Sequence, residues 1–246
     1  MSTRPERISQ ILRERLLAGD FPAGAHLGEA ALAESLGASR TPVRLALAML
    51  EQEGLVTRAP NRGYRVRGFT IDEIEAAVKL RGELEAIAVR QVAQAGLSAP
   101  TSRALQATLV EADAILSQPS FSIEHRVAWL ETNVAFHATI VKAAGNPALD
   151  ECYAHLCRTP LASPRGIVFA MTSVDSGRRQ IARAQEDHVH ILAAIRNGEG
   201  ARAEALMREH GYRSAENKRA NLEAQERETM QKVPGLALVE FPRRSA

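Results

Sequence analysis

The sequence predicts a mostly α-helical protein, in which a small N-terminal domain of helices and strands precedes a larger all-helical bundle. Apolar residues recur at steps of three and four along most of the 246 residues, which is the period of an amphipathic helix. Segments with the alternation typical of strands occur only before residue 68. The composition, with 45% apolar and 24% charged residues, is that of an ordinary globular protein.

The N-terminal domain, assigned to residues 1–68, is expected to contain helices and strands in a characteristic order. Helices are predicted at residues 5–18, 29–36 and 39–53, and strands at residues 26–27, 55–58 and 64–67. Ser39 is a favourable N-cap for the third helix, and Pro42 falls in its first turn, where a missing N–H costs nothing. A hairpin tip at residues 59–63 joins the last two strands. This order is that of a winged helix-turn-helix.

The second domain, assigned to residues 69–232, shows only helical patterns. Helices are predicted at residues 70–94, 101–116, 122–144, 147–158, 176–197 and 199–225. Residues 159–175 contain two prolines and are expected to form a loop or a broken helix. The last segment, residues 233–246, has no periodicity and is expected to be a mobile tail. The fold class is therefore a winged helix-turn-helix followed by an all-helical bundle.

The charge distribution points to a nucleic-acid-binding surface on the first domain. Residues 1–68 contain ten arginines and seven acidic residues, and a local basic patch on a small domain is typical of phosphate-backbone binders. A recognition helix presents its N-terminal residues to the major groove, where Arg40 and Arg44 would suit guanine. Ser39 and Thr41 would suit phosphate, and the hairpin tip with Arg62 could reach the backbone or minor groove. For any single arginine, a solvated side chain is the alternative.

Three histidines lie on apolar faces of predicted helices: His137, His188 and His210. A lone histidine of this kind is usually a core residue whose ring nitrogens are hydrogen-bonded. Three histidines on converging faces would bury several ring nitrogens that all need partners. A shared metal ion would satisfy one nitrogen of each. Asn133 precedes His137 by one helical turn, so both can point at the same place. Imidazole and amide ligands favour a transition metal, with zinc or nickel expected, over magnesium or calcium.

The N-terminal residues closely resemble the DNA-binding domain of GntR-family bacterial transcription regulators. The resemblance covers about residues 5–67 and rests on LAESLGASRTPVR at 32–44, LEQEGLV at 50–56 and PNRG at 60–63. Ala38 stands where valine is usual, and Leu45 stands where glutamate commonly follows. The resemblance implies that five residues contact operator DNA: Ser39, Arg40, Thr41, Arg44 and Gly63.

The helical domain resembles the FCD ligand-binding domain of FadR-type members of that family, over residues 70 to about 220. The residues that carry the resemblance are Leu80-Arg81, Leu84-Glu85, Ala88, Phe136-His137, His188 and His210. In many members an aspartate four residues before the first of three histidines completes a divalent-metal site. Asn133 stands there in this chain, so either its amide oxygen is a weaker ligand or the site is three histidines and water. Arg81 would clamp the carboxylate of an effector, and a surface pair with Glu85 is the alternative.

These patterns predict a ligand-responsive bacterial transcription regulator, with repression favoured over activation, and not an enzyme. It would bind a palindromic operator in double-stranded DNA as a homodimer and respond to a small organic acid. The chain has no apolar run long enough for a membrane span, no secretory signal and only two cysteines, which favours the cytoplasm. A metal-dependent hydrolase with a three-histidine site is an alternative, but no His-Glu-x-x-His motif supports it. A metal sensor, and histidines that contact the effector without a metal, also remain open.

Overall fold

The computed structural model describes residues 3–59, 63–166, 174–224 and 234–241 and is mostly α-helical, as predicted. Its elements are α1 (Arg4–Ala18), β1 (His26–Leu27), α2 (Glu29–Ser35), α3 (Arg40–Gln52), β2 (Val56–Arg58), β3 (Tyr64–Val66), β4 (Phe69–Thr70), α4 (Ile71–Ala95), α5 (Ala99–Leu116), α6 (Ile123–Ala143), α7 (Pro147–Leu156), α8 (Val174–Arg196), α9 (Gly200–Glu223), a 3-10 helix (Leu236–Leu238) and β5 (Val239–Glu240). None of the helices within these ranges is both long and apolar enough to cross a bilayer.

The chain divides into two compact units that are not contiguous in sequence. The first comprises Met1–Ile74, Arg158–Leu161 and Glu226–Ala246, and the second comprises Glu75–Cys157 and Ala162–Gln225. The first unit thus extends beyond the predicted boundary at residue 68. It also takes in short segments that the sequence analysis assigns to the helical domain and to the tail.

The first unit contains the predicted winged helix-turn-helix. α1 starts with a capping box in which the Thr3 hydroxyl accepts from the Glu6 amide. The three strands form an antiparallel sheet in the order β1-β3-β2, with Val56 opposite Val66 and Leu27 opposite Tyr64. Fully buried leucines from α1 and α3 fill the core beneath this sheet: Leu12, Leu16, Leu47 and Leu50. This packing leaves the opposite face of α3 exposed to solvent.

Part of the segment expected to be a mobile tail is ordered, because residues 236–240 belong to the fold of the first unit; residue 233 and residues 242–246 lie outside the described residues. Leu236 and Leu238 have no exposed surface. The amide of Gly235 donates to Leu17 O at 2.7 Å, and β5 pairs in parallel with β4. Two leucines two positions apart are too short a pattern to indicate an element. Their burial depends on α1 and β4, which lie far away in the sequence.

The second unit is a helical bundle, as predicted. Its core is a cluster of apolar side chains from α4, α5, α6, α8 and α9, among them Val89, Leu105, Phe136, Ile191 and Met207. The predicted loop at 159–175 is described as far as residue 166, and the part from 167 to 173 lies outside the described residues. α8 then begins at Val174, two residues earlier than predicted.

The helices α4 and α9 touch at a pair of glycines. A Cβ atom added to Gly82 would lie 2.9 Å from the Cα of Gly211, and one added to Gly211 would lie 2.7 Å from the Cα of Gly82. Such distances are shorter than real Cβ contacts, so only glycine permits this approach. Because Arg81 and His210 adjoin these glycines in sequence, the crossing positions both side chains.

Candidate metal centre and nucleic-acid interface

The three predicted histidines meet inside the second unit. His137 comes from α6, His188 from α8 and His210 from α9, and their possible ligand atoms all lie within 4.8 Å of one another. Their ring centroids are 4.8–5.4 Å apart, and no more than 5% of any of the three residues is exposed. The convergence expected from the helix faces is therefore present in the structure.

The donor set fits a metal ion. Nε2 of His188 is buried and has no hydrogen-bond partner in the described part of the chain. A buried polar atom without a partner is costly, and bonding to an ion would remove that cost. Three imidazoles suit a transition metal such as zinc or nickel better than magnesium or calcium.

Two carboxylates lie against the histidine rings, and no pattern in the sequence predicts these contacts. Nδ1 of His210 lies 3.2 Å from Oδ2 of Asp187, and Nδ1 of His137 lies 3.2 Å from Oε2 of Glu85. Metal-bound histidines commonly donate their second ring N–H to a carboxylate, which fixes the tautomer and the ring orientation. The His210–Asp187 contact is a hydrogen bond and leaves Nε2 of His210 available to an ion, whereas the His137–Glu85 contact is an ion pair without hydrogen-bond geometry.

The electrostatics of the site favour uncharged rings at two of the three histidines. Burial alone would raise the pKa of Glu85, but its contacts with His137 and Arg81 outweigh burial and lower that pKa to about 2. Burial lowers the pKa of His188 well below its usual range, and His210 and His137 act in the same direction. Burial also lowers the pKa of His210, although Asp187 opposes this. Near neutral pH these two rings are therefore uncharged, which is the form that coordinates a metal.

Asn133 is buried one helical turn before His137, and the two residues line one cavity. Its Nδ2 donates to Pro164 O at 3.0 Å. Since the amide nitrogen is used in this way, the amide oxygen is the atom left for coordination. Whether Asn133 is a ligand stays a prediction.

A cavity of about 60 Å³ adjoins the histidines and contains Arg81. This volume is several times the roughly 10–15 Å³ that one water needs. Nη1 of Arg81 donates to Ala162 O at 2.7 Å, and its Nε lies 3.3 Å from Oε1 of Glu85. Arg81 thus forms the pair with Glu85 that the alternative interpretation expects. The pair lies in the interior, with Arg81 only 2% exposed, and not on the surface.

The proposed DNA-reading residues lie on the exposed face of α3. Arg40, Thr41 and Arg44 are exposed, while Val43 and Leu47 on the other face are fully buried. Ser39 occupies the N-cap position without a side-chain capping bond, so capping does not occupy its hydroxyl. Arg44 lies 3.1 Å from Glu29, and the two side chains are partly exposed. Leu45, which is 51% exposed, lies on this same face.

The hairpin tip is only partly described, because Arg62 lies outside the described residues. Gly63 has φ of 94°, and an added Cβ there would lie 2.9 Å from Leu27 O. The turn therefore requires glycine, whatever Gly63 contributes to DNA contact. Nearby, Arg58 pairs with Glu51 at 3.1 Å, so part of the expected basic patch is locally neutralised.

Each of the two predicted domains matches a known protein family. Residues 5–66 match the model of the bacterial regulatory proteins of the gntR family, and residues 76–213 match the FCD domain. The HTH-type transcriptional regulator LutR of Bacillus subtilis is 28% identical over 188 residues, which is 73% of this chain and 84% of LutR. A probable D-xylose utilization operon transcriptional repressor of Paenarthrobacter nicotinovorans is 26% identical over 209 residues, covering 85% of this chain and 86% of that protein.

Among solved structures, E. coli McbR/YncC has a similar fold. The TM-score is 0.60 at 23% identity, over 86% of this chain and 94% of that one. At this identity the likeness concerns the fold alone.

Proposed function

Because the chain belongs to the gntR family of bacterial regulatory proteins and carries an FCD domain, we propose that it is a dimeric repressor controlled by a small carboxylate effector. Membership of this family makes it a DNA-binding transcription regulator, and its relatives are regulators and not enzymes. One observation carries the proposal: three buried histidines converge beside a cavity that contains Arg81. A metal ion at the histidines and the nearby Arg81 guanidinium would each attract an anionic group of the effector.

Repression, dimerisation and a palindromic operator are the finer parts of the proposal. One relative bears the name of a transcriptional repressor, which supports repression here. A two-fold symmetric dimer places two recognition helices about one DNA turn apart, so it would read an inverted repeat. A regulator that binds the chromosome of a bacterium would act in the cytoplasm.

The recognition helix is proposed to be α3. Arg40 and Arg44 are exposed one turn apart in its N-terminal half, and bidentate arginine contacts suit guanine. Ser39 and Thr41 would contact phosphates, with Gly63 and Arg62 contacting DNA at the hairpin tip.

Selection of bound sites from random duplexes at fixed salt tests this assignment. Arg40→Ala and Arg44→Ala should each weaken binding to the selected site by about tenfold or more, and should relax the preference at one base of each half-site. Arg202→Ala, an exposed arginine of α9, is the matched control. The selected duplex should bind two chains. Unchanged base preference in both α3 variants would exclude this recognition helix.

The metal is proposed to be zinc or nickel, held by His137, His188 and His210, with Asn133 as the candidate fourth ligand. Bound there, it would supply positive charge and open coordination positions for the effector. Glu85 and Asp187 would hold the rings of His137 and His210 in place.

Metal analysis of the purified protein tests the centre. We expect a bound transition metal that is lost in His188→Ala and His210→Ala and kept in His190→Ala, an exposed neighbour on α8. Asn133→Asp should tighten metal binding, because it adds a negative charge. Unchanged metal affinity in Asn133→Ala would favour water in the fourth position.

The effect of chelation on DNA binding distinguishes the other possibilities. A change in DNA affinity on removal of the metal alone would indicate a metal sensor. Binding of organic acids by a protein that retains no metal would indicate direct contact between the histidines and the effector.

A further inference from the structure

A second buried basic residue, Lys218, lines the cavity beside the histidines. Arg81 on α4 and Lys218 on α9 both line this cavity. Only 2% of Arg81 and 4% of Lys218 are exposed. Buried lysines are rare, since removal of an ammonium group from water is costly. Two buried basic side chains from crossing helices thus line one cavity.

The negative charge near this pair is shared with the histidine cluster. Glu85 faces Arg81 at 3.3 Å and also faces His137 at 3.2 Å. Burial, and next the positive charge of Arg81, lower the pKa of Lys218 well below its usual range. The Arg81 charge therefore acts on Lys218, and an anion between the two would relieve this repulsion.

The polar groups around Lys218 include several hydrogen-bond donors. Asn217 and Asn221 on α9 line the cavity, as does Ser214 one turn before Lys218. Nδ2 of Asn221 donates to Oε1 of Gln180 at 3.0 Å, which fixes the orientation of that amide. The Asn217 amide and the Ser214 hydroxyl, next to Arg81 and Lys218, have the chemistry that recognises a carboxylate or a phosphate.

The charges around the cavity also favour an effector with more than one negative charge. Arg81, Arg213 and Lys218 line it together with Asp187, and Glu85 lies against Arg81. Arg213 is paired with Asp187 at 3.3 Å. The charges of the two arginines and the two carboxylates cancel, so a divalent ion leaves a surplus of positive charge that a single carboxylate does not neutralise, even when Lys218 is not counted.

We propose that Arg81 and Lys218 form a second anion subsite, so that the effector is a dianion, either a dicarboxylic acid or a phosphorylated acid. One acidic group lies at the histidine cluster and the other lies between Arg81 and Lys218. The inference rests on the proposed function, because the first group is placed at the candidate metal centre. It defines the chemical class of the effector.

Matched pairs of acids that differ by one anionic group test the proposal. Propionate is compared with succinate, lactate with malate, and glycerate with 3-phosphoglycerate, by calorimetry on the full-length metal-loaded protein. In at least one pair the dianion should bind about tenfold tighter or more, since a hydrogen bond to a charged group contributes that much. Equal affinity in all three pairs would overturn the proposal. So would the absence of any dianion that binds with a Kd below about 10 mM, because weaker binding corresponds to a binding free energy of less than roughly 3 kcal/mol.

The variant Lys218→Met tests the residue, because it removes the charge and keeps an unbranched side chain. It should reduce the affinity for the dianion to that of the monoanion, while the monoanion binds as before and reports that the cavity is intact. Lys142→Met, on an exposed position of α6, is the matched control. A dianion preference that persists in Lys218→Met would overturn the assignment. If that variant does not fold, the comparison of monoanions with dianions on the unmodified protein still tests whether the effector is a dianion.

Metal analysis of the same samples distinguishes this inference from the proposed function. Bound metal and monoanion binding without a dianion preference would leave the proposed function standing and remove the second subsite. Absence of both metal and acid binding would remove both.

Discussion

His188 lies between two aromatic rings, with Phe136 at 4.3 Å and Trp129 at 6.4 Å between centroids. An imidazolium ion there would be cut off from water and would face the rings of His137 and His210. The residue is therefore held neutral, and its unpartnered Nε2 is the single atom that most favours a metal at this place.

The first prediction concerns the pH dependence of the metal-free protein. In the unfolded chain His188 takes up a proton near its ordinary pKa of about 6.5. In the folded protein burial holds its pKa well below that value, so the unfolded state binds more protons in between. The free energy of unfolding should therefore fall as the pH drops below about 6.5, by up to about 1.4 kcal/mol per pH unit for this group.

Urea unfolding in the presence of a chelator, between about pH 7.5 and 5.5, measures this slope. His188→Gln should reduce the slope without abolishing it, because the pKa of His210 is also lowered by burial. His190→Gln, on the exposed face of α8, is the control. A slope in His188→Gln equal to that of the unmodified protein would contradict the prediction.

At the scale of elements, the contact between α4 and α9 determines the geometry of the site. These two helices carry Arg81, Glu85, His210 and Lys218, and they approach most closely at Gly82 and Gly211. The added Cβ of an alanine would meet backbone there, and backbone cannot move aside as a flexible side chain can. The distance between the two helices, and with it the shape of the cavity, depends on the absence of side chains at this point.

We therefore predict that Gly211→Ala destabilises the protein by about 1–2 kcal/mol, the cost of overpacking less the gain in helix propensity. It should also weaken metal binding, because His210 precedes it directly. Gly200→Ala is the control, since its added Cβ would meet the flexible Gln94 side chain at 3.3 Å. Denaturant unfolding and metal titration measure the two effects. A Gly211→Ala protein as stable as the unmodified one would show that the helices separate without cost.

At the scale of the whole molecule, the chain passes between its two units more than once. It leaves the first unit after Ile74, returns for Arg158–Leu161 and returns again for Glu226–Ala246. The DNA-binding unit therefore depends on residues at both ends of the chain. Truncation at the boundary suggested by the sequence would remove Leu236 and Leu238 from a core to which they belong.

The corresponding prediction is that Leu238→Ala destabilises the first unit by about 2–5 kcal/mol, because it removes a fully buried side chain. Hydrogen exchange should become faster in α1 and β4, which the C-terminal segment contacts. Leu45→Ala, at an exposed position of α3, is the matched control and should destabilise the unit by much less than Leu238→Ala does. Unaltered exchange in Leu238→Ala would mean that the segment contributes nothing to this unit.

Much of the fold could be predicted from short stretches of sequence. The helices of both units follow from apolar steps of three and four, and the exposed arginines of α3 follow from their place opposite Val43 and Leu47. The convergence of the three histidines was predictable because each lies on the apolar face of its own helix. The roles of Glu85 and Asp187 were not, because each carboxylate contacts a ring on a different helix.

Local periodicity was sufficient for the elements and for the faces they bury, because it depends on neighbours along the chain. The partners of those faces depend on how distant segments pack. In the packed molecule Glu85 contacts His137, both Arg81 and Lys218 line one cavity, and Leu238 is buried in the DNA-binding unit. No local pattern specifies these contacts, since burial of an ionisable or apolar side chain is a property of the packed molecule and not of the residues beside it.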